Sequence, residues 1–377
     1  MSAQHDQDTG EQSGDDQDAL ARGRGLVDEP PLRIAAWTQI DWAFGRIAHD
    51  LQKYLEPGIE LHLFDWGTFH PPEAFSPFDL VYIPVWDHVI KFREFYPQID
   101  PTRLCFSIHC RPELFHYNLA QARLVAYDEA TIERCQIPRE LLRFFRRQKL
   151  ISVVSPDLYG VLHDRYGLEN LRLTVIGVDL DLFSPDPTRE PQSGEAITVV
   201  HTLPRRGVPP ETHGYDPKRS WIAAEAERRI AEKGANVRFL FAEERLPLSR
   251  MPELYHSGDL HVCVSHAEGL PTVGLESIAC GLAQLSTPVG VMPRLVRDGE
   301  TGYLLRETEP RGIVDELCAR ILELERDRRL LREMKRGAGA LRAALGWERR
   351  ISAWRSFFRE VARSSRQLKA GRACGSA

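Results

Sequence analysis

From Leu32 onward, short apolar runs alternate with stretches whose apolar residues recur at helical spacing. Leu32-Arg33-Ile34-Ala35-Ala36-Trp37 reads as a first strand, and 43–54 as the helix after it. The runs 59–64, 80–85, 104–108, 150–155 and 173–176 read as further strands. Strands alternating with helices predict a parallel sheet covered by helices on both faces. The stretch 185–194, rich in Pro, Ser and Gly, interrupts the pattern. A second alternation then begins at Ala196-Ile197-Thr198-Val199-Val200. It continues through a helix over 221–231 and a strand over 237–241 to Leu260-His261-Val262-Cys263-Val264. A last helix is predicted over 347–365. The expected organisation is a disordered polar tail (1–31), a first α/β domain (32–186), a linker (187–195), a second α/β domain (196–346), and a closing helix with its tail (347–377).

Composition narrows the function classes. A chain of 377 residues is long enough for two domains. Its 49 Lys and Arg against 54 Asp and Glu leave no basic excess to neutralise a nucleic-acid backbone, so none is expected as a partner. No apolar run approaches a membrane span, and no secretory leader is evident. Seven cysteines show no CxxC pair and no zinc spacing, which fits buried thiols in a reducing cytoplasm.

The chemistry concentrates in Glu268-Gly269-Leu270-Pro271-Thr272-Val273-Gly274-Leu275-Glu276. A strand leads into it, Gly269 and Pro271 turn the chain, and a helix is predicted over 272–280. That helix would aim free N–H groups and a positive dipole end at the turn, a ready site for phosphate. The two carboxylates beside it would accept hydrogen bonds from sugar hydroxyls.

This run resembles the E-x7-E signature of the family 4 glycosyltransferases, group 1 type. The resemblance continues through Gly290, Pro293, Val296-Arg297-Asp298-Gly299 and Thr301-Gly302-Tyr303-Leu304-Leu305, with Arg294 where the family has Glu. The segment Val175-Ile176-Gly177-Val178-Asp179-Leu180-Asp181-Leu182-Phe183-Ser184-Pro185 resembles the family element before the linker. The family implies the GT-B fold: two Rossmann-like domains facing a cleft, with a C-terminal helix crossing back to the first. It implies a retaining glycosyltransferase acting on a nucleotide-diphosphate sugar as co-substrate, with no metal and no other cofactor. Asp179 and Asp181 mimic a metal-binding DxD, but in the family this is a structural turn.

By resemblance, Glu276 would bind the ribose and Glu268 the donor sugar. Gly269, Leu270, Pro271 and Thr272 would shape the loop around sugar and diphosphate. Lys218 matches the Lys of the family's K-G-x-x-x-x-x-x-A, with Ala226 in register, and would meet the leaving diphosphate. Arg206 and Arg205 are alternative partners for it. His109, at the end of a first-domain strand, would face the sugar or else be a structural histidine. The family's Gly-Gly loop is replaced by Thr38-Gln39-Ile40-Asp41-Trp42-Ala43-Phe44-Gly45. On the acceptor side, Trp42 or Phe44 would stack on a sugar or simply pack, with Gly45 and Arg111 nearby.

The acceptor would be a saccharide, lipid-linked or small-molecule hydroxyl. The stretch 139–149 is a basic amphipathic helix. It would either touch an anionic membrane, placing the protein at the inner face, or pack with a solvated basic edge. Two alternatives share the fold: a nucleotide-sugar epimerase or hydrolase, and a catalytically silent nucleotide-sugar-binding subunit.

Overall fold

A computed structural model describes residues 30–41, 43–109, 136–186, 194–205, 218–242 and 246–374, with side chains to 367. The tail before residue 30, most of the 185–194 stretch, and Trp42, Arg111 and Arg206 lie outside the described residues.

The first half contains β1 (Leu32–Thr38), α1 (Ala43–Tyr54), β2 (Ile59–Asp65), β3 (Leu80–Ile83) and α2 (His88–Phe95). It continues with β4 (Leu104–Ile108), α3 (Arg139–Arg146), β5 (Ile151–Val153), α4 (Pro156–Gly160) and β6 (Leu171–Leu173). Its strands form a parallel sheet ordered β2-β1-β3-β4-β5-β6. The second half runs β7 (Ile197–His201), α5 (Ser220–Glu232), β8 (Val237–Phe241), α6 (Met251–His256), β9 (Leu260–Cys263) and α7 (Thr272–Ala279). Then come β10 (Ala283–Ser286), α8 (Met292–Leu295), β11 (Gly302–Leu304), α9 (Pro310–Arg326) and α10 (Arg328–Leu345). This parallel sheet is ordered β11-β10-β9-β7-β8. After a single turn at Trp347–Arg349, α11 (Ile351–Cys374) closes the chain.

The strands read as continuous apolar runs because both faces of each sheet are covered. Ala35 and Trp37 of β1 join Val81 and Ile83 of β3 in one core, against α2 and α3. Their neighbours Ile34, Ala36, Leu80 and Tyr82 face the opposite core, against α1 and α11. The second sheet divides likewise: Ile197 and Val199 pack toward α5 and α9, and Val200 toward α6, α7 and α10.

In each sheet the strand order reverses once beside the first strand, between β1 and β3 and between β7 and β9. A crevice opens beyond the strand ends at such a point.

Three sequence expectations shift. The strand expected over 173–176 forms earlier, at Leu171–Leu173, pairing with Ile151–Val153. The third strand stops at Ile83, since Pro84 has no N–H for the ladder. The last helix runs well past 365. The apolar side of α3 (Leu141, Leu142, Phe145) is buried in the first core, and its arginines face solvent together with Glu140. Among the described residues no helix is long and apolar enough to cross a membrane.

The helix α11 completes the first domain from the far end of the chain. Trp354, Phe357 and Phe358 are fully buried against Tyr82 and Ile34, and the Trp354 indole N–H donates to the Val175 carbonyl at 3.2 Å. Trp354→Ala should cost about 3–5 kcal/mol through the cavity it leaves. A denaturant titration would show the loss as a lowered midpoint.

Candidate active site

Where β9 ends, the loop 264–271 carries the first signature carboxylate. Glu268 Oε1 accepts from Lys218 Nζ at 2.5 Å and from Ser265 Oγ at 2.8 Å. Lys218 comes from the chain just before α5, which follows β7. Two loops on either side of the strand reversal thus meet through one ion pair. The next residue, Arg219, is left-handed (φ 49°, ψ 35°), rare for a residue with a side chain. Its guanidinium contacts His266 Nδ1. The resembled K-G pair has Gly here, which explains the backbone conformation and marks Arg219 as an extra cation.

Glu276 lies on α7 with its side chain 4% exposed. Its Oε2 accepts from the Tyr255 hydroxyl at 2.9 Å, and its Oε1 from Arg46 of α1, in the other domain. Burial pushes the Glu276 carboxyl up, and Arg46 and Tyr255 draw it back toward the charged form. Pro271 precedes α7 and Thr272 opens it, so the unpaired first N–H groups of the helix lie at the end of the loop that carries Glu268. Leu270 packs against cores of both domains. Gly290 (φ 52°) sits so close that a Cβ there would stand 2.6 Å from the Gly269 carbonyl oxygen.

On the first-domain side, His109 follows β4 and is 7% exposed. Burial pushes its imidazole down to about 4, against a hydrogen bond to the Pro84 carbonyl, so it is neutral at pH 7. Phe44 stands edge-on to it at 4.9 Å and packs on the first-domain core, which is its packing alternative. Gly45 is required by space: a Cβ would meet the Ile40 carbonyl oxygen at 2.0 Å. Arg205 pairs with Glu227 at 2.6 Å and lies over Phe241, rather than on either signature carboxylate.

Asp179 and Asp181 are both taken by Lys53 Nζ at 2.8 Å, and Asp179 also accepts from Tyr54 and from the backbone N–H of Asp181. The pair caps a turn and ties it to α1, as a structural DxD would.

Sequence reasoning missed Arg46, Tyr255 and Arg219. A second cation also crosses between the domains: Arg294 of α8 reaches Asp157 of α4 at 2.6 Å.

Comparison with known proteins bears on this geometry. Residues 223–339 match the family model for glycosyl transferases group 1. Over that stretch the chain is similar to the group 1 glycosyl transferases. The group 1 match contains Glu268 and Glu276, while Lys218, His109 and Arg46 lie outside it. WcaL of Escherichia coli (strain K12), assigned as a colanic acid biosynthesis glycosyltransferase, is 25% identical over 48% of this chain and 49% of its own length. N-acetyl-alpha-D-glucosaminyl L-malate synthase of Bacillus anthracis is 29% identical over 31% of this chain and 30% of its own. D-inositol 3-phosphate glycosyltransferase of Nocardia farcinica (strain IFM 10152) is 34% identical over 29% and 24%. The chain thus spans about half or less of the curated relatives it matches.

Sucrose-phosphate synthase from Thermosynechococcus elongatus shares the fold at a TM-score of 0.56 and 16% identity, over 90% of this chain and all of that one. Anabaena HepE in complex with UDP and glucose does so at 0.56 and 15%, with the same coverage. The architecture is GT-B.

Asp50, one turn beyond Arg46, offers a pH test of the domain contact. Burial pushes its carboxyl up to about 7, with Asp179 and Glu276 adding to the rise and the Trp347 N–H and Arg46 opposing it. The folded chain holds a proton that the unfolded chain releases, so stability is lost as pH rises from about 4 to about 7. Asp50→Asn keeps an acceptor for Trp347. Its stabilising effect should be small at pH 4, grow through pH 7 and level off at up to about 4 kcal/mol. Thermal unfolding across that range checks it.

Proposed function

We propose that this chain is a retaining glycosyltransferase that moves a sugar from a nucleotide-diphosphate sugar to an acceptor hydroxyl. The observation that carries the reading is the Lys218–Glu268 ion pair, which joins the loops on either side of the strand reversal between β7 and β9, with Glu276 on the helix that follows. A phosphate-bearing ligand belongs in such a crevice, and a helix N-terminus faces it.

In this reading Glu276 accepts from the ribose and Glu268 from donor-sugar hydroxyls. As the bond from the sugar C1 to the phosphate oxygen breaks, negative charge grows on the departing diphosphate. Lys218, Arg219 and the first N–H groups of α7 are fixed beside it, and preorganised cations and dipoles of this kind lower the barrier. They supply the charge that a metal would otherwise bring. The acceptor hydroxyl attacks from the same face in a loose transition state and its proton leaves with the phosphate oxygen. Neutral His109, whose one N–H goes to the Pro84 carbonyl, accepts from a sugar hydroxyl on its other nitrogen from the first-domain side.

The acceptor is a saccharide, lipid-linked or small-molecule hydroxyl, held against the first domain. The relatives' names cover an inositol phosphate, malate and colanic acid biosynthesis, and a small polar or saccharide acceptor is in keeping with them. The exposed arginines of α3 offer any contact with an anionic membrane by charge alone, because its apolar side is already buried.

Glu268→Gln, Glu276→Gln and Lys218→Ala should each lower transfer on the order of 100-fold or more. Transfer and donor hydrolysis are measured together, after a thermal-shift panel of UDP, GDP, ADP and TDP sugars has identified the donor. Near-normal transfer in all three variants would sink the reading. Rapid donor turnover without an acceptor would replace it with hydrolysis.

A further inference from the structure

We propose that Arg46 is a first-domain residue of the donor site that latches the empty cleft: it holds the Glu276 carboxylate and must leave before a ribose can take it. The inference rests on the donor-site reading above and adds to it a competition that the reading does not require.

The local geometry favours displacement over accommodation. Each oxygen of Glu276 already has a strong donor, Arg46 on Oε1 and Tyr255 on Oε2. The Arg46 and Glu276 side chains are 17% and 4% exposed, so little of the carboxylate remains open to a ligand. The two donors differ in what holds them. Tyr255 is fully buried in the same domain as Glu276 and belongs to the core around α7. Arg46 belongs to the other domain, so it leaves whenever α1 moves back. Released, its guanidinium gains water, and Glu276 gains two ribose hydroxyls in exchange.

The placement of Arg46 is built into the chain. The crowding of Gly45 against the Ile40 carbonyl sets where α1 starts. One residue later the guanidinium faces Glu276 across the cleft. Arg294 reaches the opposite way, from the second domain to Asp157. It stands where the resembled signature has Glu. This second pair is exposed (61% and 46%) and contributes little alone, but it closes the cleft in the same sense. A ligand that needs the latch open and a latch that needs the site empty are linked: each weakens the other by the same factor.

The test uses the full chain, with UDP, GDP, ADP and TDP each titrated calorimetrically into wild type, Arg46→Ala and Arg46→Gln. Small-angle scattering of each protein without nucleotide accompanies it. The latch predicts that Arg46→Ala binds its nucleotide roughly 10-fold more tightly, within the range usual for coupled sites. It also predicts a larger radius of gyration for the empty variant. Arg46→Gln, which keeps a neutral donor on Glu276, should move both readouts in the same direction by less, and it serves if the Ala variant does not fold. A merely structural arginine would not tighten binding when removed. Equal or weaker binding by both variants, with wild type still binding, overturns the latch and leaves the donor site standing. No binding of any of the four by any of the proteins overturns the donor site and the latch with it.

Discussion

A carboxylate as buried as Glu276 needs a cation or a hydrogen-bond donor on each oxygen, or it stays protonated. That requirement organises the cleft. One donor, Tyr255, is supplied from within the domain, and the other, Arg46, from the opposite one. Satisfying Glu276 therefore ties α1 of one domain to α7 of the other. Gly45 exists to let α1 start where it does, and Leu270 packs into the seam that results. The cleft is thus held by polar chemistry as well as by area.

What was legible in the sequence follows from locality. The strands declared themselves because both faces of each sheet are covered, which leaves uninterrupted apolar runs. The Glu268–Glu276 loop was legible because strand, turn and helix are consecutive. The Lys218 position was legible because Ala226 follows in register, and the chain does bring Lys218 to Glu268 from 50 residues away. Arg46 was not legible. It is 230 residues from Glu276, and nothing in an amphipathic helix distinguishes an arginine facing solvent from one facing another domain. Tyr255 was hidden similarly, as an aromatic in a short helix that reads as core. The strand at 171–173 was displaced because burial there is set by pairing with β5 rather than by local hydrophobicity. Arg219 was hidden in plain view, since its backbone conformation is one that side chains rarely take.

The two sides of the cleft differ in how the chain builds them. The second-domain side rests on loops whose residues contact one another directly: Ser265, Glu268 and Lys218 form a chain of hydrogen bonds, and Gly290 is pressed on Gly269. The first-domain side is set by aromatic packing, with Phe44 against His109 and a neutral imidazole at its centre. A fixed polar frame suits one recurrent ligand. An apolar frame with one neutral hydrogen-bonding group suits acceptors that vary in shape.

The return of α11 to the first domain has a mechanical consequence. The chain comes back to the first domain through Gly346, and that return is stitched to the stretch around Val178. The Val178 N–H donates to Leu345 at 2.9 Å and the Trp347 N–H returns to Val178 at 3.3 Å. Lys53 and Tyr54 clamp the adjoining turn through Asp179. A crossing fastened in this way acts as the leaf pin of a door, about which turning is easier than sliding. Residues far from that pin, on the lips of the cleft, travel the greatest distance for a given turn. The first domain cannot be cut out as one continuous piece of chain, because α11, which follows the whole second domain, finishes its core.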